Sequence, residues 1–341
     1  METKTLSVCV AIFNVEQFLP EALLSLKRSK KNDIEFLLVN DGSSDHSGDI
    51  CKKFVDEDSR FKLINHSKNM SLIQTRKTAL GFANGKYILF LDGDDYLDSE
   101  NLDKLSQFLS QKTEDIIGFK TNCFGKNTAE VSDYQTYFSR TFPAETSSLE
   151  TLPQLIFQER TLPWNVINKV YRKTLMDKVF QHVNDIYLTS GEDAFVTFLS
   201  LIYARSCTNF PFYVYNYRVG AGISGGQETI EKFRYHYKDI NLTQYLSVIL
   251  QSTRPEDMKL KRALSALGSH LRINTIKRYY KLKKSSQKEG LILLSQAGYS
   301  KNIIFWLTLK ILISKFLHIF FPRKLWRNTK AYRAAKRLLY K

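Results

Sequence analysis

The sequence predicts an α/β fold, a doubly wound and mostly parallel sheet followed by a helical, basic carboxyl-terminal extension. Three observations carry this. The first hundred residues alternate short apolar runs with segments whose apolar residues recur at helical spacing. Acidic turns stand where two of those runs end. Past a glycine-rich stretch the chain reads helical to its end and turns strongly basic.

The elements follow in order. Leu6 to Phe13 (LSVCVAIF) reads as a buried strand, and Glu16 to Leu26 as a helix. Ile34 to Val39 is a second buried strand, ended by Asn40-Asp41-Gly42-Ser43-Ser44-Asp45, whose polar residues supply a turn and a helix cap. Phe61 to Ile64 makes a third strand, Leu72 to Ala83 another helix, and Tyr87 to Leu91 a fourth strand. Strands apolar throughout and separated by helices imply a parallel sheet covered on both faces. Between Asp103 and Pro211 the pattern is mixed, and Phe210 to Arg218 is aromatic-rich and strand-like. Gly220, Gly222, Gly225 and Gly226 then set a boundary, giving regions 1–225, 226–300 and 301–341.

With 341 residues and 43% hydrophobic content, the chain is long enough for a sizeable core. Four dispersed cysteines (Cys9, Cys51, Cys123, Cys207) show no metal-ligand spacing and suit a reducing compartment better than a disulfide scaffold. Met1 to Thr5 is polar and runs directly into the first strand, so no secretory leader is expected. The net charge of +16 is unevenly placed: residues 251–341 hold 22 Lys and Arg against 3 acids, and no acid follows Glu289. Such asymmetry points to an element that meets a polyanion, a membrane or a nucleic acid.

In a doubly wound sheet, ligands sit beyond the carboxyl ends of the strands. Both acidic turns fall there: Asp41 to Asp45, and Asp92-Gly93-Asp94-Asp95. Carboxylates on one tight turn repel each other, and a divalent cation relieves that repulsion. Mg²⁺ or Mn²⁺ takes one or two carboxylates and completes its shell with water and phosphate oxygens. Asp92 and Asp94 suit that chemistry, whereas Asp45 and Asp95 equally suit helix caps or turns. Six scattered histidines form no HExxH pattern, and no Ser/His/Asp arrangement is suggested.

These residues carry a resemblance. SVCVAIFN (Ser7 to Asn14), VNDGSSD (Val39 to Asp45), the arginine within NMSLIQTRKTALGFANGKY (Asn69 to Tyr87), LDGDD (Leu91 to Asp95) and GED (Gly191 to Asp193) resemble, in order and spacing, family 2 glycosyltransferases of the Rossmann-like GT-A fold. The match spans roughly residues 5 to 218. PWNVINKVYRK (Pro163 to Lys173) is similar to bacterial members that build capsules, teichoic acids or other surface glycans. The resemblance makes 1–225 the catalytic domain, with a nucleotide-sugar donor, usually a UDP-sugar, and inversion at the anomeric carbon. It implies that Asp41 accepts a hydrogen bond from the base with Arg76 near it, and that Ala11, Phe13 and Asn14 line the donor. It sets Asp92 and Gly93 by the ribose, Asp94 on a Mn²⁺ or Mg²⁺ bridging the diphosphate, and Asp193 as general base. Glu192, Trp164 and Asn165 then face the acceptor. The chain departs from the family pattern at Ala11-Ile12-Phe13-Asn14, where proline-x-tyrosine-asparagine is common, and at Ser71, where glycine is common.

The carboxyl-terminal region holds Ile303 to Phe321 (IIFWLTLKILISKFLHIFF), long enough to span a bilayer. Its polar residues Thr308, Lys310, Ser314, Lys315 and His318 fall on one arc, which suits a helix lying in the membrane interface. With the basic residues beyond it, this stretch is expected to hold the protein on the inner face of the cell membrane, near a lipid-linked glycan acceptor. Rival readings fare worse. A nucleic-acid-binding protein accounts for the basic end, but no nucleic-acid module motif appears. A nucleotide-dependent dehydrogenase lacks GxGxxG after the first strand, where AIFNVEQF stands. A non-catalytic nucleotide-binding protein is at odds with the retained Asp92, Asp94 and Asp193.

Overall fold

The computed structural model describes residues 4–141, 149–183, 188, 191–221, 228–236 and 241–320. Most of the segment before Gly-Glu-Asp, Gly222 to Gly226 in the glycine stretch, and the basic residues from 321 onward lie outside these. The chain forms two compact units, one of residues 1–156 and 160–225, the other of 157–159 and 226–341.

The first unit opens with β1 (Leu6–Ile12), α1 (Leu19–Lys27), β2 (Ile34–Asn40), α2 (Ser47–Glu57), β3 (Phe61–Asn65), α3 (Leu72–Phe82) and β4 (Tyr87–Asp92). Every residue of β2 is buried, as is all of β1 but Ala11, which is why both read apolar without alternation. The charged exception, Glu35, is fully satisfied: Ser7 Oγ, Lys62 Nζ and Asn84 N all donate to it. Helix α1 starts at Leu19, three residues later than its periodicity suggests, because Val15 to Phe18 close a turn first (Phe18 N donates to Val15 O at 2.9 Å). Pro20 then sits in the first helical turn, where a missing N–H costs nothing.

The unit continues with β5 (Tyr96–Leu97), α4 (Ser99–Ser110), β6 (Ile116–Phe124), α5 (Thr128–Phe138), β7 (Lys169–Arg172), α6 (Lys173–Phe180), α7 (Glu192–Tyr203) and β8 (Cys207–Arg218). The strands form one sheet in the order β3-β2-β1-β4-β7-β6-β8-β5. The first four are mutually parallel; β7 runs antiparallel between β4 and β6, and β5 antiparallel to β8. The register sets Asp92 beside Ala11 and Asn40 beside Ile12, so the ends of β1, β2 and β4 open on one edge.

The second unit is helical: α8 (Ile230–His236), α9 (Asn241–Thr253), α10 (Met258–Lys281), α11 (Lys284–Gln296) and α12 (Lys301–Phe320). Its core gathers Phe233, Ile273, Ile276, Leu282, Leu294, Tyr299, Leu307 and Ile311. Helix α12 joins this core through Leu307 and Ile311, while Phe305, Trp306 and Leu312 stay about 60% exposed. Among the described residues no helix is long and apolar enough to cross a membrane.

Candidate active site

The Asp92–Asp95 turn is shaped by its neighbours. Gly93 N donates to Ala11 O at 2.9 Å, and a side-chain carbon on Gly93 would meet that same oxygen at 2.9 Å and Val15 at 3.0 Å. Only glycine lets the turn lie this close to β1. Asp95 neither caps a helix nor faces the edge. It is buried and accepts from Tyr215 Oη at 2.7 Å and Arg218 N at 2.6 Å, while Asp92 N donates to Tyr215 Oη at 3.2 Å. The cap of α4 is Asp98, which accepts from Asn101 N. Asp95 thus fastens the turn to β8. Asp45 ties the opposite loop, accepting from Glu16 N and from Ser47 N at the start of α2.

Asp94 has a different setting. Its main-chain oxygen accepts from Arg218 Nε, but among the described residues no other residue donates to its carboxylate. Burial, and then the negative charge of Asp92, push its pKa up to about 6. A half-buried carboxylate short of counter-charge is the donor a hard cation suits. No group of three metal-ligating side chains gathers among the described residues.

Asp41 is buried at the end of β2. Its Oδ1 lies 2.6 Å from His66 Nδ1 and accepts from Met70 N at 2.8 Å; its Oδ2 accepts from Ser71 N at 3.1 Å. His66 Nε2 continues to Thr78 Oγ1 at 2.9 Å, so the ring holds the carboxylate in place. One lone pair of Oδ2 remains for a further donor. Nearby, Asn14 adopts φ +52° and its side chain accepts from Ser44 N at 2.8 Å, clasping the two loops together. The Phe13 ring is 37% exposed beside them.

Arg76, on α3, is 2% exposed and reaches two carboxylates from distant parts of the chain. Its Nη1 donates to Asp193 Oδ1 at 2.8 Å and its Nη2 to Asp92 Oδ1 at 3.2 Å, with the guanidinium over the Phe90 ring. Burial disfavours the guanidinium's charge, but Asp193 and Asp92 more than offset it and raise the pKa. In Asp92, burial outweighs the Arg76 charge and the pKa rises. Asp193 stands in the first turn of α7 behind Gly191, whose φ of +77° favours glycine. Its second oxygen, Oδ2, accepts from Asn165 Nδ2 at 3.2 Å. Glu192 lies beside it, its pKa raised by burial and then by the negative charge of Asp193. Trp164 is held at both main-chain ends: its N donates to Tyr137 Oη at 3.2 Å, and its O accepts from Thr197 Oγ1 at 2.6 Å.

The structure therefore joins Arg76, Asp92, Asp193 and Asn165 in one hydrogen-bonded chain, with Gly93 and Asp94 on the adjoining turn and Ala11 of β1 accepting from Gly93 N. Asp41, Phe13 and Asn14 form a second cluster on the loops after β1 and β2. Sequence reading missed His66, Tyr215 and Lys169, the last buried under the Trp164 loop. His66 carried a signal, since it lies in the loop before α3 that carries Ser71; Tyr215 and Lys169 carried none beyond their polarity.

The family model described as glycosyl transferase family 2 matches residues 7–180. The chain belongs to this family and has the GT-A fold. The uncharacterized glycosyltransferase EpsJ of Bacillus subtilis is 35% identical over 177 residues, covering 50% of this chain and 49% of that protein. The chain spans about half to three fifths of the length of the first curated relatives it matches. Among solved structures, Staphylococcus aureus TarS 1–349 with UDP-GlcNAc superposes at a TM-score of 0.61, with 20% identity, covering 86% of this chain and 81% of that one. The mannosyltransferase PcManGT of Pyrobaculum calidifontis, solved with GDP-Man and Mn²⁺, superposes at 0.51, with 12% identity and coverages of 98% and 86%.

Proposed function

We propose that the chain is an inverting, metal-dependent transferase moving a sugar from a UDP-sugar to a hydroxyl of a glycan acceptor. The observation that carries this is the Arg76 bridge. It sets a carboxylate of the acidic turn, Asp92, and a second carboxylate, Asp193, around one buried cation, while among the described residues no side chain donates to the Asp94 carboxylate. In this reading Asp41 accepts from the uracil N–H through the free lone pair of Oδ2, and Phe13, Ala11 and Asn14 line the nucleoside. Asp92 and Gly93 face the ribose. Asp94 would hold Mg²⁺ or Mn²⁺, which when bound stabilises the charge of the departing diphosphate.

The chemistry assigned to the side chains is a single displacement. The acceptor oxygen bonds to the anomeric carbon as the bond from that carbon to the diphosphate oxygen breaks, with its electron pair leaving on the nucleotide. Asp193 takes the hydroxyl proton on a lone pair not used by Arg76 or Asn165, a service typically worth about 10²–10⁴ in rate. Arg76 and Asn165 hold the carboxylate in one orientation, and Glu192, Trp164 and Asn165 face the acceptor.

The similarity to the Staphylococcus aureus poly(ribitol-phosphate) beta-N-acetylglucosaminyltransferase TarS, 27% identical over 298 residues, supports a polymeric acceptor and the role in bacterial surface-glycan synthesis that the PWNVINKVYRK segment suggests. The surplus of Lys and Arg after residue 250, with the exposed Phe305, Trp306 and Leu312, supports peripheral attachment to the anionic inner face of the membrane. There the active site would meet a lipid-linked acceptor. The test is incubation with UDP- and GDP-sugars in Mg²⁺ or Mn²⁺, scoring released nucleoside diphosphate. Release of UDP is expected. Release of GDP alone would overturn the donor assignment, and release of neither the catalytic one.

A further inference from the structure

A buried lysine lies under the acceptor side of the site, outside every role assigned so far. Lys169 is the first residue of β7 and is 1% exposed. Its backbone is fixed by β6, since Lys169 pairs with Gly118 and Phe119 N donates to Asn168 O at 3.1 Å. From that anchored position the side chain turns back under the loop that precedes it. Its Nζ donates to Pro163 O at 3.0 Å, to Asn168 Oδ1 at 2.7 Å and to Asn165 O. An ammonium carries three protons, and these three acceptors match them.

Burial pushes the Lys169 ammonium down to about 7, with the charge of Asp193 pulling the other way. A cation is costly at this depth unless its hydrogen bonds are met, and here two of the three go to main-chain carbonyls of one short loop. The same loop is tied from outside by Tyr137 on α5 and Thr197 on α7, both through Trp164. Its next residue, Asn165, carries the amide that donates to Asp193 Oδ2. Lys169 holds the main chain of Asn165, and Asn165 holds the carboxylate.

We propose that Lys169 is a positioning residue, fixing the Pro163–Asn165 loop so that the Asn165 amide orients the Asp193 carboxylate toward the acceptor hydroxyl. Because it acts through Asn165 and not on the substrate, it contributes to turnover and leaves donor affinity alone. The proposal rests on Asp193 being the base, so the test has one arm that reads activity and one that does not.

The first arm is a double-mutant cycle on the full chain with Lys169→Met, Asn165→Ala and the pair. The readouts are kcat and KM for nucleotide release from the UDP-sugar turned over, and UDP affinity by calorimetry with Mg²⁺. Each single variant is expected to lose about 10-fold in kcat with UDP affinity unchanged, and the pair to be within about 2-fold of Asn165→Ala alone. Full multiplication of the two losses would overturn the proposal, as would a loss confined to UDP affinity. The second arm uses a Trp306→Phe, Trp326→Phe background, in which Trp164 is the sole tryptophan. Lys169→Met should red-shift its emission and speed amide exchange across 164–168, whether or not any sugar nucleotide is turned over. Unchanged emission and exchange would overturn the brace, while loss of the activity arm in the wild-type chain would count against the catalytic reading alone. Should Lys169→Met fail to fold, Lys169→Gln, which keeps donors on a shorter stem, carries the same cycle with intermediate effects expected.

Discussion

Ser71→Gly should make the protein more stable. Ser71 precedes α3 with φ +86° and ψ +154°, a region that is essentially glycine's alone. A residue with a Cβ there carries about 1–3 kcal/mol of strain. Its hydroxyl is also buried with no hydrogen-bond partner, costing roughly 1–3 kcal/mol more than an absent group would. Against these gains, glycine loses about 0.5–1 kcal/mol more backbone entropy on folding. The balance is a stabilisation of about 1–5 kcal/mol by this arithmetic, which for a unit of roughly 220 residues means about 2–4 °C per kcal/mol. Urea unfolding followed by Trp164 emission, with Trp306 and Trp326 replaced by Phe, reports on the first unit alone. The midpoint should rise at constant slope. Because the Ser71 N–H that holds Asp41 Oδ2 is kept, UDP affinity should hold within about 2-fold, roughly 0.4 kcal/mol. A midpoint that stays or falls would refute the strain argument, and a large loss of UDP affinity would mean the strained serine itself is used in binding.

Three further outcomes are expected. Asp193→Asn should lower turnover by about 10²-fold or more while UDP binding in calorimetry stays near wild type; intact turnover with lost binding would give Asp193 another role. Asp94→Asn should abolish the dependence of UDP affinity on Mg²⁺ or Mn²⁺, and chelation of the wild-type protein should weaken UDP binding to the same level; equal metal dependence in both proteins would remove Asp94 as the ligand. Paired substitution of Phe305 and Trp306 by Ser should reduce sedimentation with anionic vesicles, and added salt should reduce it in the wild type as exposed charges are screened. Equal sedimentation of wild type and variant would place the contact elsewhere.

The strands nearest the donor edge were legible because burial on both faces leaves an unbroken apolar run, as in Ile34–Asn40. Strand β6 was not. Ile116–Phe124 contains Gly118, Lys120, Thr121 and Asn122, and its pairing with β8 shifts register around Lys120, so neither an apolar run nor a clean alternation survives. Strand β7 has only four residues and begins at a buried lysine, which a reading by polarity places on the surface. At the site, residue types and turn positions were readable; partners were not. The resemblance placed Arg76 near the base but named no partners for it; its hydrogen bonds go to Asp92 and to Asp193, the latter 117 residues away. Asp95 shows the same limit: its partners Tyr215 and Arg218 come from β8, more than a hundred residues on. Local chemistry fixes what a side chain can donate or accept, and the sheet order decides from whom.

Helix α12 has a bearing on how the carboxyl-terminal end can be studied at all. Leu307 and Ile311 supply two of the buried side chains of the helical unit's core, alongside Ile273 and Ile276 of α10. Cutting the chain at residue 300 would strip both from that core, a loss of about 1.5–3 kcal/mol for each fully buried side chain. A unit held by few such residues can be unfolded by that alone. A shortened protein that fails to sediment with vesicles, or is degraded in cells, would then report a broken scaffold and not a missing anchor. The helix has to be kept whole and its open face changed residue by residue, with thermal midpoints measured beside each sedimentation run.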